Sequence, residues 1–248
     1  MRVLLLDGDI ILYTSTTQHE TEIDWGEDFW TLTCDFKSVK QTLDQTISDL
    51  VEKTEAEKVE IALSDRENFR KKINPSYKAN RKSSRKPICF VPARDYLIDT
   101  HDTYIRKTLE ADDVMGVRAT RTAYSDTFEY IIVSPDKDLL TIPGYHWDYG
   151  KEVIHEVSEN EANYNFYKQV LTGDAVDGYP GCPGIGPKKA EKILDSCTSH
   201  SDFWTAITNT YESAGLTEDD AILNARMARI LRWEDYQDTK VKLWMPYE

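Results

Sequence analysis

Apolar positions in this chain fall into two rhythms, short unbroken runs and stripes that recur every three or four residues. The unbroken runs predict strands buried on both faces, as in a parallel sheet. Arg2 to Asp7, Val59 to Ser64 and Tyr130 to Ser134 are the clearest, and Phe29 to Cys34 and Thr103 to Arg106 are shorter candidates. Two weaker strands flank the turn at Tyr149-Gly150. Helical stripes lie between them. One starts at Ile10; a second, behind Asp35 as N-cap, carries Phe36, Val39, Leu43, Ile47, Leu50 and Val51. A third opens at Pro92 and runs through His101, and a fourth follows Glu110 to about Arg121. Beyond Ser158 the rhythm is helical alone, over residues 158–171, 186–195, 201–213 and 217–232. Strands alternating with helices, then helices alone, predict an α/β fold. Its mainly parallel central sheet is expected over residues 1–157, with a helical region over 158–248 packed on it as a single compact unit.

One interval breaks both rhythms. From Arg66 to Lys86 the chain holds nine of its thirty Lys and Arg residues against a single acid, Glu67, and Pro75 interrupts it. With little to bury, it predicts a mobile loop or partly helical arch over about residues 66–92 rather than a core element. A solvated charged loop is the default meaning of such a run. Tyr77 set among Arg70, Lys78 and Arg81 adds a second, a phosphate clamp with a stacking surface.

Composition narrows the class. Hydrophobic residues make up 40% of the 248, enough for a substantial core. No apolar run approaches the ~20 residues that cross a bilayer, and the one ending at Asp7 is too short for a signal peptide. Cys34, Cys89, Cys182 and Cys197 form no C-x-x-C pair, and His19, His101, His146, His155 and His200 are scattered. That distribution argues against zinc and predicts reduced thiols in the cytoplasm. A net charge of −14 disfavours nucleic acid over the surface as a whole. A local basic segment still grips phosphates within the ~10 Å that screening allows, and an acid excess also arises when a carboxylate metal site is counted without its ions.

The acids are placed tellingly. Functional groups in open parallel sheets collect beyond the carboxyl ends of the strands. Asp7, Asp65, Asp136 and Asp138 fall there; Glu110, Asp112 and Asp113 follow the short strand near residue 105; Asp174 and Asp177 lie in a Gly-rich loop. Each alone is most simply a strand-end cap or a helix-start acid favoured by the helix dipole. Nine together need cations, and oxygen-only ligands suit Mg²⁺ or Mn²⁺. Two such ions about 4 Å apart clamp the attacking and leaving oxygens of a phosphodiester. Asp9 is assigned a supporting or solvent-facing position. The run Pro183 to Ala190 is either a tight interhelical turn or a helix start aiming N–H groups at a phosphate, which Lys188 and Lys189 slightly favour.

These motifs, in this order, resemble the 5′-nuclease superfamily of flap endonucleases and 5′–3′ exonucleases. The likeness is carried by Leu5-Leu6-Asp7-Gly8, Asp65 with Phe69-Arg70, Tyr77 to Arg81, Glu110 to Asp113, Ser134 to Asp138, and Gly173-Asp174 through Asp177 to Gly184–Ala190. Tyr77 to Lys82, Glu110 to Val117 and Met227 to Arg232 resemble the 5′–3′ exonucleases of short-tailed, T-odd bacteriophages. The resemblance implies a PIN-like core, a short basic arch and a helix–three-turn–helix. It implies one Mg²⁺ at Asp7, Asp65, Glu110 and Asp112, a second at Asp136, Asp138 and Asp174, Asp113 serving both, and Asp177 beside them. Lys78 and Arg70 match arch residues that contact the scissile phosphate. Gly184, Gly186, Lys188 and Lys189 match the duplex-holding motif, often built around K⁺. Gly178 stands where the wider family usually has Asn, and Thr14 where an Arg commonly follows the Tyr.

The short arch favours an exonuclease working from duplex 5′ ends over a dedicated flap endonuclease. Removal of RNA from RNA–DNA hybrids, flap cleavage, replication proteins as partners and a phage protein in the host cytoplasm are what the resemblance implies. A PIN-like ribonuclease and a non-catalytic DNA-end-binding protein are the rival readings.

Overall fold

In the computed structural model, which describes residues 1–83, 85–121 and 127–246, the first strand behaves as its apolar run requires. β1 (Arg2–Asp7) is buried from Val3 onward and runs straight into α1 (Gly8–Thr17). A hairpin follows, β2 (Glu20–Asp24) and β3 (Trp30–Cys34), then α2 (Phe36–Thr54), capped as expected by Asp35. β4 (Lys58–Leu63) leads through the basic segment, with a single turn α3 (Arg70–Ile73), to α4 (Phe90–Thr100) and β5 (Thr103–Ile105). α5 (Ala111–Thr120), β6 (Glu129–Val133), β7 (Gly144–Asp148) and β8 (Val153–Val157) complete the first part. Four helices then come in succession, α6 (Glu159–Thr172), α7 (Pro187–Leu194), α8 (His200–Ser213) and α9 (Glu218–Ala228). A small pair, β9 (Tyr236–Gln237) and β10 (Lys240–Val241), follows.

The sheet order is β5-β4-β1-β6-β7-β8, with parallel pairing except between β7 and β8. Alternation along β1 divides the core. Leu4 and Leu6 pack with α1, α2 and α4 on one face, while Leu5 packs under α5 on the other. Helices therefore cover both faces. A third cluster holds α6 to α9 together and takes in Tyr77 from the basic segment.

The structure departs from the sequence expectation in four places. The strand at Trp30–Cys34 forms, but pairs only with β2, apart from the main sheet. α4 starts two residues before Pro92, which is tolerated because a first-turn N–H has no partner within the helix. α9 stops at Ala228, short of residue 232, because the next residues are pulled into long-range bonds: the Arg229 carbonyl accepts from Arg70 and the Leu231 N–H donates to Asp113. The basic segment has more to bury than its composition suggests, since Phe69, Arg70 and Tyr77 are all buried; Ser84 lies outside the described residues.

The chain after α9 lies directly on α5. A Cβ at Gly116 would stand 2.2 Å from the Leu231 carbonyl oxygen. Gly116→Ala is expected to cost about 1–3 kcal/mol of stability, the usual range for overpacking. At roughly 2–4 °C per kcal/mol for a chain of this size, thermal unfolding reads the loss directly.

Candidate active site

The sheet brings acids together at the carboxyl ends of β1 and β6, beside the start of α5 and the loop after α6. Asp7 ends β1 and caps α1, its carboxylate accepting the Ile10 N–H at 3.2 Å and the Ser134 hydroxyl at 2.9 Å. Ser134, just past β6, in turn accepts the Asp136 N–H at 3.2 Å, and Asp136 accepts the Asp138 N–H at 2.9 Å. A chain of short bonds thus fixes three carboxylates relative to one another. Glu110 caps α5, with Asp112 in its first turn. The loop after α6 is shaped by Asp174, whose carboxylate accepts the N–H groups of Val176 and Asp177 at 2.7 and 3.2 Å. The basic segment is tied to that loop: the Lys78 N–H donates to the Asp177 carbonyl at 2.8 Å, and Asn80 donates to the Val176 carbonyl. Gly178 sits at φ +82° with the Ser76 carbonyl 2.5 Å from where a Cβ would be, so a residue with a side chain would push the two apart.

These segments enclose a cavity of about 390 Å³ lined by Asp7, Asp9, Glu110, Asp112, Asp136, Asp138, Asp174 and Asp177. Seven of the nine acids singled out in the sequence are there, and Asp9 joins them. Among the described residues, only Lys78 and Arg81 oppose them on its wall. Lys78 Nζ lies 2.6 Å from Glu110 and 3.4 Å from Asp177, and Arg81 lies 2.6 Å from Asp177.

Two cations do not balance eight acids. Burial, then repulsion from Asp9 and Asp136, raises Asp7 to about 6. Burial with Asp136 and Asp174 nearby takes Asp138 to about 6 as well. Asp112, partly buried on the cavity wall with Asp7 and Glu110 nearby, is raised well above its ordinary value, desolvation first and their charges next. Asp177 also rises, burial outweighing Lys78 and Arg81. Glu110 goes down, to about 2: burial opposes its charge, but Lys78 and Arg70 more than offset it.

Among the described residues no three acid, His or Cys groups converge tightly enough to hold an ion as they stand. The donor set still fits hard divalent cations by its chemistry, because every donor is an oxygen and most of the charge is uncompensated.

That excess predicts an inverted pH profile for the cation-free protein. Asp7 keeps a proton in the folded chain up to about pH 6, whereas its ordinary value is 3.8. The native state thus binds more protons across that window, and stability falls as pH rises through it. The loss from Asp7 over the whole window is on the order of 3 kcal/mol. Glu110 contributes stability of the opposite sign, lost only as pH falls below its ordinary 4.5. Denaturant unfolding in chelator at pH 5 and 7 is expected to show the decline, and Asp7→Asn to flatten it; a wild-type profile that rises between these points contradicts it.

Two of the predicted metal ligands lie outside the cavity. Asp113 is fully buried and held by Arg70 through two bonds of 2.7 Å, by the Leu231 N–H at 3.2 Å and by the Glu110 N–H at 3.2 Å. With its oxygens so occupied, it acts as a tie between α5 and the chain after α9. Asp65 accepts the N–H groups of Thr108 and Arg66, each at 2.8 Å, and these amides, the Thr108 bond first, lower its pKa. It lines a neighbouring, basic cavity.

Two residues of the predicted phosphate clamp also lie away from the cavity wall. The Arg70 guanidinium is 2% exposed and fully engaged, donating to Asp113, Glu110 and the carbonyls of Met227 and Arg229. Tyr77 is 4% exposed, its hydroxyl donating to Glu110 at 2.9 Å, and offers no ring face for stacking. Lys78 and Arg81 remain on the cavity wall. Gly184 takes a positive φ of 75°, Gly186 caps α7 behind Pro187, and Lys189 Nζ folds back onto the Gly184 carbonyl at 2.8 Å. These residues and the exposed Lys188 do not line the cavity.

Sequence reasoning set Asp9 aside and overlooked Ser134. Their signals were present: Asp9 sits in the first turn of the helix that Asp7 caps, and Ser134 stands two residues before an acid, where a hydroxyl commonly accepts a turn N–H.

Comparison with known proteins shows the family and the fold. Residues 2–165 match the family model described as the 5′-3′ exonuclease, N-terminal resolvase-like domain. The exodeoxyribonuclease of Enterobacteria phage T3 is 30% identical over an alignment of 281 positions that covers 98% of this chain and 93% of that protein. The exonuclease of Escherichia phage T7 matches to the same extent. A flap endonuclease Xni of Shewanella baltica is 30% identical over 156 residues, 58% of this chain and 59% of its own. Among solved structures, the T5 D15 protein co-crystallized with metal ions shares the fold with a TM-score of 0.66 at 17% identity, covering 93% of this chain and 90% of that one.

Proposed function

This chain belongs to the 5′-3′ exonuclease family, and from that premise we propose that it is a Mg²⁺-dependent nuclease degrading duplex DNA from its 5′ ends. The observation that carries the reading is the cavity, where acids from four separate segments meet with too little positive charge to balance them. Asp7, Glu110, Asp112, Asp136, Asp138, Asp174 and Asp177 would hold two Mg²⁺, or Mn²⁺ in their place, with Asp65 at the margin. Bound there, the ions supply an activated water and neutralise charge developing on phosphorus.

The rest falls to the chain's own groups. Lys78, kept protonated by Glu110 and Asp177 against the effect of its burial, sets a fixed positive charge on the cavity wall for the phosphate being cut. Ser134 holds Asp7 and the Asp136 turn in one orientation. Beyond the cavity, Gly184 to Lys189 offer exposed amides and lysines for the duplex backbone, a place suited to K⁺. Removal of RNA from RNA–DNA hybrids, flap cleavage and a role in phage DNA replication belong to the same reading. The basic segment supports exonuclease action over flap threading, since its bonds to the Val176–Asp177 loop draw it down over the cavity.

End-labelled duplex DNA, RNA–DNA hybrid and single-stranded RNA incubated with Mg²⁺ or with chelator test the proposal. Hydrolysis of duplex from the 5′ end, abolished by chelator, is expected; persistence in chelator, or cleavage confined to RNA, overturns it. Lys78→Ala is expected to lower turnover by roughly 10²-fold, with the Mg²⁺ concentration for half-maximal rate changing far less. Unchanged turnover removes Lys78 from the reaction.

A further inference from the structure

Between the carboxylate cavity and the end of α9 lies a much smaller one, of about 20 Å³. The two share Glu110, Asp112, Asp138 and Asp177, so the small cavity backs directly onto acids of the large one. Its remaining polar wall comes from Arg70, Tyr77, Gln169 and Tyr179.

Helix α6 brings Gln169 there. Asn165 and Gln169 stand one turn apart on it and share a face. That face packs against the short turn Lys137–Thr141, which carries Asp138. Asn165 donates to the Leu140 carbonyl at 3.0 Å and fixes the far end of the turn. Gln169 acts at the near end: burial and Asp136 raise Asp138, and the Gln169 amide, as a donor, works the other way.

The amide oxygen of Gln169 is closed to solvent and accepts no hydrogen bond among the described residues. A buried acceptor left so is costly, and a donor is expected within reach. The other side chains of the wall offer few. Arg70 has five N–H groups and commits them all, two to Asp113, one to Glu110 and two to the Met227 and Arg229 carbonyls. The Tyr77 hydroxyl donates to Glu110 at 2.9 Å. That leaves Tyr179, which is 3% exposed and comes from the loop of Asp174 and Asp177.

We propose that Gln169 and Tyr179 are positioning residues for the cation site, holding Asp138 toward the ions through the Gln169 amide and one buried water. The proposal rests on the metal-dependent nuclease reading and adds to it the support behind the ligands. The cavity has room for a single water, and its polar wall supplies the two to four partners that such a water takes. The water accepts from the Tyr179 hydroxyl and donates to Gln169 Oε1 and to a carboxylate. The Gln169 nitrogen donates to Asp138 itself. A neutral amide turns that carboxylate without adding a charge that would compete with the ions. Three segments, α6, the Asp138 turn and the Asp174–Asp177 loop, are thereby tied at one point.

The experiment titrates the intact protein with Mn²⁺ by calorimetry in the absence of DNA, beside duplex cleavage over a range of Mg²⁺ and thermal unfolding in chelator. Gln169→Met is similar in length but has neither amide donor nor amide acceptor. It is expected to weaken Mn²⁺ binding by about 10–100-fold, the usual loss when a group behind a metal ligand is removed. The Mg²⁺ concentration for half-maximal rate is expected to rise in step, with turnover at saturating Mg²⁺ and Tm in chelator changing far less. Tyr179→Phe deletes one oxygen and is expected to weaken Mn²⁺ binding in the same direction, which keeps the test open if Gln169→Met fails to fold. The double variant is expected to lose little more than Gln169→Met alone, because both residues act through one water. Unchanged Mn²⁺ affinity in the variants overturns the proposal. A Tm lowered in chelator without loss of affinity also overturns it, since Gln169 then serves packing alone. Losses that multiply in the double variant overturn the shared water. A wild type that binds no Mn²⁺ sinks the metal-dependent reading itself, whereas binding and cleavage by the wild type with unaltered variants leave that reading intact.

Discussion

Asp112→Asn is expected to abolish nuclease activity and at the same time stabilise the cation-free protein. Asp112 is the acid on which the cavity presses hardest. It is partly buried near Asp7 and Glu110, and desolvation and their charges raise its proton affinity, with Lys78 acting in the other direction. An amide of the same shape removes a negative charge that the folded state accommodates poorly without cations. The unfolding free energy in chelator is expected to rise by about 1–2 kcal/mol. For a chain of this length that is an increase in Tm of roughly 2–8 °C.

Activity is expected to fall by at least ~10²-fold, since groups that merely support a metal ligand are worth 10–100-fold. Mg²⁺ then separates the two proteins. At a hundred times Kd a bound ion stabilises the fold by about 2.7 kcal/mol, and the variant is expected to lose most of that increment. Thermal unfolding with and without Mg²⁺, beside a duplex-cleavage assay, reads all three quantities. An Asn variant that is fully active, or less stable than wild type in chelator, removes Asp112 from the cation site.

The second large effect concerns stability and sets Arg70 apart from Lys78, its neighbour in the sequence. Asp113→Asn leaves the Arg70 guanidinium charged and buried, with Glu110 at 3.2 Å as its remaining acid. Breaking a buried pair by neutralising one partner costs about 3–5 kcal/mol. For this chain that corresponds to a Tm lower by roughly 6–20 °C. Arg70→Met is expected to cost as much, because Asp113 then lacks its partner and the carbonyls of Met227 and Arg229 lose a donor. The double change Arg70→Met with Asp113→Leu is expected to recover a large part, since an apolar replacement leaves no unpaired buried charge. If Arg70→Met instead lowers turnover with Tm unchanged, Arg70 contacts substrate, and its burial beneath α5 is not the folded state that works.

The contrast between these neighbours shows where the sequence stops being legible. Arg70 and Lys78 sit in the same basic run, and local composition makes both look like solvent-facing phosphate contacts. The difference comes from residues more than 150 positions away, the carbonyls of Met227 and Arg229, which turn Arg70 inward. Asp112 and Asp113 diverge for a similar reason. They are adjacent in the first turn of α5, but successive helical residues are about 100° apart around the axis. One therefore lines the cavity and the other meets Arg70 beneath it.

The sequence by itself determined the strands, the helices and most of the constellation. Continuous apolar runs leave a strand no alternative to burial on both faces. An acid directly after such a run has only the carboxyl edge of the sheet to occupy, and Asp7 and Asp136 follow that rule. Tertiary structure alone decided which charges face the cavity and which are spent inside the protein. It drew Asp9 in, took Asp113 and Arg70 out as a buried tie, and turned Asp65 toward the basic cavity. The physical reason is that a side chain's charge is local, whereas its partner, its desolvation and its direction are set by segments that meet only when the chain has folded.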